Sequence, residues 1–256
     1  MASFSHLIRF ECEEDSNTYF ADLGSDATGP PSPGTKLRAF GSYEALAEKS
    51  GHKTVTLRRL TAPSCPPLWT KPAASLANPD EDIPIGDFCA KSLLDYEGEL
   101  VFVTSKECRN VSPKDAKDYI LGYTVGNDLS CRMYQLPRYS AGQFFFAKAF
   151  DKFAPIGPTL ISAAMFADAM SFTVVTRVNG EVRQTAEFKK DMIFSPEQIL
   201  SHMSQGTTIP AGTAVMTGTP AGVGAFRSPK TFLQDGDVVE VGMEKVGTLR
   251  NTMKFE

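Results

Sequence analysis

The residues best suited to chemistry are the two glutamates of Asp95-Tyr96-Glu97-Gly98-Glu99-Leu100. They stand at i and i+2 where an apolar run begins, and in an extended chain that spacing turns both side chains to one face. Two unpaired carboxylates side by side repel, so something positive is expected between them; an oxygen-liganded Mg2+ or Mn2+ is a natural candidate. Spacing alone equally describes a solvent-facing strand edge decorated with acids. Asp128 lies in Gly122-Tyr123-Thr124-Val125-Gly126-Asn127-Asp128-Leu129-Ser130, where the chain should leave the core at a strand end. Such positions commonly carry functional groups on a rigid base, although an Asx turn or helix N-cap uses the same residue type. Taken by themselves, Lys148 reads as a surface lysine and Arg132 as a structural arginine pairing Asp95 or Asp128. Thr217-Gly218-Thr219-Pro220-Ala221-Gly222-Val223-Gly224 reads as a Gly-rich turn without the GK[ST] ending of a phosphate-binding loop.

The elements that must position these groups are mainly β. Strand patterns cover Glu99 to Thr104, Thr173 to Val178, Glu181 to Gln184, Thr213 to Thr217, Val238 to Gly242 and Thr248 to Lys254. Asn179-Gly180 joins two of them with the residues a type I′ hairpin turn demands, because both positions take positive φ. Ser112-Pro113 predicts a helix through Ile120, and Ser195-Pro196-Glu197-Gln198 predicts a capped helix to Gln205 with Gly206 as its stop. Upstream, Leu7 to Phe10 and Thr18 to Leu23 predict a hairpin, Gly29 to Gly34 a proline-rich loop, and Tyr43 to Lys49 a short helix. Residues 1–62 therefore read as a small N-terminal α/β unit, and a proline-rich join leads into a second domain over 67–256. The pattern is not the strand and helix alternation of a doubly wound fold.

Composition narrows the classes. An apolar fraction of 42% with 22% charged residues is that of an ordinary globular chain. No apolar run approaches the roughly 20 residues that span a bilayer, and the N-terminus lacks the pattern of a secretory signal. A cytoplasmic location without membrane contact is expected, with the mitochondrion as the alternative. The net charge of −4 is spread without a basic stripe, which argues against a nucleic-acid partner. Five cysteines without a CxxC pair argue for reduced thiols.

Several runs occur together in an order that resembles the fumarylacetoacetate hydrolase superfamily. They are Leu94-Asp95-Tyr96-Glu97-Gly98-Glu99-Leu100, Gly122 to Asp128, Lys148-Ala149-Phe150-Asp151-Lys152-Phe153-Ala154-Pro155-Ile156-Gly157-Pro158 and Met216 to Gly224, with Asn179 to Gln184, Asp191 to Ser195, Asp235 to Glu240 and a final run Gly247 to Thr252 continuing the likeness. The resemblance spans about Pro67 to Glu256. It implies a mixed β-sandwich roll, an α+β fold that is usually a homodimer. It also implies a Mg2+, Mn2+ or Ca2+ site on Glu97, Glu99 and Asp128, with Lys148 stabilising negative charge on the substrate, Arg132 and Gln135 contacting it, and Thr219 holding its oxoacid end. The substrate would be a small enolisable 2-oxo acid or 1,3-dicarbonyl.

One family segment, Asn-Tyr-x-x-His-x-x-Glu, is missing. The chain passes from Leu60-Thr61-Ala62-Pro63 directly to Ser64-Cys65-Pro66-Pro67-Leu68-Trp69. Its His/Glu dyad activates water or moves protons in members that hydrolyse or decarboxylate. The three histidines, His6, His52 and His202, stand in other contexts. The expectation is a metal-dependent hydrolase or lyase working through a stabilised enolate, by acylpyruvate-type cleavage or oxaloacetate decarboxylation. A non-hydrolytic isomerase or tautomerase is the alternative, and a metal-binding protein impaired in catalysis the third reading.

Overall fold

The computed structural model describes residues 7–23, 31–42, 45–46, 49–60, 65–167 and 172–256. The chain divides into two compact units, Met1–Cys65 with Leu136–Gly142, and Pro66–Gln135 with Gln143–Glu256.

The first unit carries an antiparallel sheet of β1 (Leu7–Cys12), β2 (Thr18–Asp22), β3 (Lys36–Ala39) and β4 (Lys53–Leu60) in the order β2-β1-β4-β3. Alternation builds its core: Phe10 and Cys12, Tyr19 and Ala21, Val55 and Leu57 face one side two residues apart. The N-terminal hairpin forms as predicted, with Glu11 opposite Thr18. Of the short helix expected over Tyr43 to Lys49, Tyr43, Glu44, Ala47 and Glu48 lie outside the described residues, while Ala45 and Leu46 are helical. Gly29 and Pro30 of the proline-rich loop also lie outside them.

The second unit is built on β5 (Leu76–Ala77), β6 (Ile83–Ile85), β7 (Leu94–Asp95), β8 (Gly98–Thr104), β9 (Ile120–Asn127), β10 (Ser130–Cys131), β11 (Ala154–Ser162), β12 (Thr173–Val178), β13 (Glu181–Glu187), β14 (Ala214–Met216), β15 (Val238–Met243) and β16 (Gly247–Phe255). One five-stranded sheet runs β14-β8-β9-β11-β5 and the other β13-β12-β15-β16-β6. Both are mixed, since β5 joins β11 and β6 joins β16 in parallel while the other pairings are antiparallel. Leu100, Phe102, Tyr123 and Val125 from the first sheet and Val174, Val241, Met243 and Leu249 from the second share one buried core. Ile83, Leu94, Tyr96, Leu129, Phe153 and Met253 form another. The mainly β, α+β architecture is thus the one the sequence implied.

Asn179 and Gly180 take φ of 53° and 80° at the β12–β13 turn, as the hairpin signal required. Ser195 accepts from the Gln198 amide and Gln198 answers to the Ser195 amide, closing the capping box of the helix Pro196–Met203. That helix stops two residues short of the expected Gln205. The Ser112 helix is a correction. Residues 113–115 form a turn, Ala116–Tyr119 a single 3-10 turn, and Ile120 is already the first residue of β9. Ile120 pairs with Thr104, and the Tyr119 carbonyl accepts from the Ser105 amide at 2.8 Å, so sheet pairing claims the residues a longer helix would need. Among the described residues, no helix is long and apolar enough to cross a membrane.

Candidate metal centre

Neighbouring antiparallel strands bring the three carboxylates together. Gly98 of β8 lies opposite Asn127 of β9, so Glu97 and Glu99 bracket the start of β8 while Asp128 follows the end of β9. The ends are locked reciprocally: the Asp128 amide donates to the Glu97 carbonyl at 2.8 Å, and the Glu97 amide donates to Asn127 Oδ1 at 2.9 Å. Each of the three carboxylates offers an oxygen within 4.8 Å of the others, and all three residues are buried. The solvent-facing edge is therefore excluded. Gly98 is required by close approach, because a Cβ there would stand 1.9 Å from Thr176 Oγ1.

Three cationic side chains enter the same cluster. Lys148, at the end of the helix Phe145–Lys148 and 1% exposed, donates from Nζ to Glu97 Oε2 at 2.9 Å, to Ser130 Oγ at 2.8 Å and to Asp128. Lys71, from the irregular segment between Pro66 and Pro72, donates to Asp128 and to the Leu129 carbonyl. Arg132, in the 3-10 turn Arg132–Gln135, donates from Nε to Asp95 Oδ2 at 2.8 Å and from Nη1 to Gln135 Oε1 at 2.9 Å and to Glu97. Its Nη2 is buried without a partner. Tyr134 meets Phe146 edge-on at 5.1 Å, which fixes the Arg132 turn against the Lys148 helix.

Burial sets the electrostatics. It opposes the Lys148 charge, but Glu97 and Asp128 outweigh it and raise the pKa. For Lys71, burial prevails and lowers it. Burial resists ionisation of Glu97 too, yet Arg132 and Lys148 pull its pKa down. Glu99 is the exception: burial, reinforced by Asp128 and Glu97, pushes its carboxyl well above the ordinary range, and it accepts from the Gly218 amide at 2.6 Å. Counting Asp95, four carboxylates face three cations. A hard divalent cation suits this donor set, since three converging carboxylate oxygens are the ligands Mg2+, Mn2+ and Ca2+ select.

Of the residues singled out from sequence, Glu97, Glu99, Asp128, Lys148, Arg132 and Gln135 fall in one cluster. The structural-arginine reading holds as well, with Asp95 and Glu97 as partners and not Asp128. Thr219 joins through the backbone between the two glutamates: its Oγ1 donates to the Gly98 carbonyl at 3.2 Å and accepts from Gln184 Nε2 at 2.7 Å. Gln184, 1% exposed, accepts from the Gly98 amide at 2.9 Å. Asp95, fully buried, accepts from the Gly224 and Ala225 amides at 2.8 and 2.9 Å; Gly224 must be glycine because a Cβ would meet the Thr231 carbonyl oxygen at 1.8 Å. Sequence reasoning assigned no role to Gln184 or Lys71, and to Asp95 only that of a pairing partner for Arg132. The signal for Lys71 was a lysine inside an apolar, proline-bounded run. Gln184 gave none, since a glutamine in an alternating strand reads as solvent-facing.

Among the described residues no histidine hydrogen-bonds to this cluster. His52 is exposed and approaches Arg38, His202 is exposed on its helix, and His6 lies outside the described residues.

A mixed β fold thus brings buried carboxylates, two ammonium groups and a guanidinium together at one point. The comparisons with known proteins supply the family. The fumarylacetoacetate (FAA) hydrolase C-terminal family matches residues 37–254. An oxaloacetate tautomerase of Xenopus laevis, a mitochondrial protein, is 34% identical over 194 residues, covering 76% of this chain and 60% of that protein. The oxaloacetate tautomerase YisK of Bacillus subtilis is 41% identical over 160 residues, covering 62% of this chain and 52% of its own. The chain thus spans little more than half the length of these two relatives. The solved structure of a fumarylacetoacetate hydrolase from Exiguobacterium antarcticum aligns over 98% of this chain and 99% of its own, with a TM-score of 0.68 and 29% identity. This chain belongs to the fumarylacetoacetate hydrolase superfamily of enzymes.

Proposed function

We propose that this protein is a divalent-cation-dependent keto–enol tautomerase of a 2-oxo acid. The observation that carries the reading is a carboxylate triad set beside Lys148 and Arg132, with no histidine among its hydrogen-bond partners within the described residues. Relatives named oxaloacetate tautomerases support it over the hydrolytic and decarboxylating expectation. Glu97, Glu99 and Asp128 would hold the cation, Mg2+ or Mn2+ being the candidates. Bound there, it would act as a Lewis acid toward the two oxygens of an oxo acid. Arg132 Nη2 takes a carboxylate oxygen, Gln135 keeps that guanidinium in place, and Thr219 helps hold the same oxoacid end. Lys148 Nζ faces the oxygen on which charge develops; fixed donors at that point usually supply the largest share of rate. The proton moving to or from carbon exchanges with solvent, so a histidine dyad is not required. A homodimer in the cytoplasm belongs to the same proposal.

The test is enol decay of oxaloacetate, followed by ultraviolet absorbance with Mg2+ present, alongside pyruvate measured by a coupled enzyme. Chelator-sensitive enol loss without pyruvate is expected, with Lys148→Met about 10² slower or worse. Chelator-sensitive pyruvate release would overturn the tautomerase reading in favour of lytic chemistry.

A further inference from the structure

Two thiols are built into the support of the Arg132 turn. Cys131 ends β10 directly before Arg132 and is 0% exposed; Cys89, 5% exposed, lies in the helix Asp87–Ala90. Both belong to the buried core that holds Leu94, Tyr96 and Leu129. The other three cysteines stand elsewhere: Cys12 in the core of the first unit, Cys108 in the other core of the second, and Cys65 exposed.

The helix and the turn are pinned together at two points. Backbone bonds make the first. The Ser92 amide donates to the Cys89 carbonyl at 2.9 Å, the Met133 amide to the Ser92 carbonyl at 3.2 Å and the Arg132 amide to the Leu93 carbonyl at 3.1 Å, while Cys131 pairs with Leu94. Ring stacking makes the second: Phe88, next to Cys89, stacks on Tyr134 of the Arg132 turn with centroids 5.0 Å apart. The two thiols share a hydrogen bond, which holds the Cys89 pKa below its ordinary value against the opposing effect of burial and raises that of Cys131. Cys89 is thus the member that ionises and Cys131 the one that keeps its proton. Asp87 and Phe88 beside Cys89 are exposed, so its thiol lies one layer beneath the surface.

We propose that Cys89 and Cys131 form a reversible oxidation site: hydrogen peroxide closes them into a disulfide, which draws Arg132 off its carboxylate partners and switches the oxo-acid site off. The second half rests on the proposed role of Arg132 in that site; the first half does not. The Cys89 thiolate attacks one peroxide oxygen, the O–O bond breaks, and the departing hydroxide takes up the proton that Cys89 released, leaving a sulfenic acid and one water. The Cys131 sulfur then attacks Cys89 Sγ; the S–S bond forms, the S–O bond breaks, and the hydroxyl leaves with the Cys131 proton as a second water. Two electrons pass from the sulfurs to the peroxide. Bonded sulfurs stand closer than hydrogen-bonded ones, so closure moves Cys131, and Arg132 after it, toward the helix. Arg132 donates to Asp95 at 2.8 Å, to Gln135 at 2.9 Å and to Glu97, contacts that fail on a displacement of about an ångström.

The test uses the full chain carrying Cys65→Ser, which removes the exposed thiol. After stoichiometric hydrogen peroxide, free thiols are alkylated and the digest is mapped by mass spectrometry. The expected product is one cross-linked peptide pair joining Cys89 to Cys131, lost on treatment with dithiothreitol, with Cys12 and Cys108 alkylated. Enol conversion of oxaloacetate with Mg2+ should fall about 10-fold or more in the oxidised protein and return with dithiothreitol. Cys89→Ala in the same background should convert enol at the parent rate and keep that rate under peroxide. Recovery of Cys89 and Cys131 as alkylated thiols, or a cross-link to another cysteine, would overturn the oxidation site without any variant having to fold. Full activity in the cross-linked protein, or an equal loss in Cys89→Ala, would overturn the hold on Arg132. If the reduced protein converts no enol, the tautomerase reading fails. The peptide map then decides the oxidation site, and oxamate affinity of the Mg2+-loaded protein, expected to weaken about 10-fold or more on oxidation, decides the hold on Arg132.

Discussion

Glu99 is the residue on which the cation site turns. Glu97 and Asp128 each have ammonium or guanidinium partners, while Glu99 is buried with one amide donor and a pKa well above its ordinary 4.5. A proton therefore competes with a cation for it. The sign follows: binding a divalent ion displaces a proton, so affinity falls as pH drops through the raised pKa and recovers above it. Titration calorimetry in buffers of different ionisation enthalpy should show proton release on Mg2+ binding, and weaker binding at about pH 5.5 than at about pH 8. Affinity independent of pH across that range would remove Glu99 from the ligand set. The two glutamates were legible from sequence because i, i+2 spacing fixes their common face. Their burial was not, because it depends on β8 lying between β14 and β9 with the second sheet across the core.

At the scale of elements, one side chain of a third segment adds to the direct bonds that join the glutamate strand to the Thr217–Gly222 turn, from the Gly218 amide to Glu99 and from Thr219 Oγ1 to the Gly98 carbonyl. Gln184, on β13, accepts from the Gly98 amide and donates to Thr219 Oγ1 and to the Pro220 carbonyl at 2.9 Å. Gln184→Leu leaves the Gly98 amide and the Pro220 carbonyl without this partner, at about 1–3 kcal/mol, and leaves Thr219 Oγ1 with only its bond to the Gly98 carbonyl. Chemical denaturation should register that loss, and oxo-acid KM should rise more than kcat falls. Loss of stability with unchanged KM would confine Gln184 to a structural role. Local signals decided the elements where chain chemistry is self-sufficient: the Asn179-Gly180 turn and the Ser195 capping box formed as read. They failed at Ser112 to Ile120, where β8 and the Ser105 amide take the residues the N-cap and proline had marked for a helix.

At the scale of the whole molecule, a cluster with four buried carboxylates and three cations should be stabilised by the ion that completes it. Mass action gives about 2.7 kcal/mol at a ligand concentration one hundred times the Kd, a rise of several degrees for a unit of this size. Thermal unfolding with and without MgCl2 should show that rise in the native chain and lose it in Asp128→Asn. A full rise in the variant would place the cation elsewhere. The same substitution weakens the partners of two buried ammonium groups, Lys71 and Lys148, so its cation-free midpoint should also fall. By itself the sequence determined the strand content, the turn chemistry, the family and the identity of the three carboxylates, because these follow from periodicity, from φ preferences and from motifs held in order. Only the tertiary structure decided that Lys71 and Asp95 enter the charge cluster, that Gln184 carries the turn, that Leu136–Gly142 groups with the first unit, and that Trp69 lies over Lys148. Those contacts join residues tens of positions apart, and burial reverses what a residue type favours alone: a lysine is buried where three acids hold its charge.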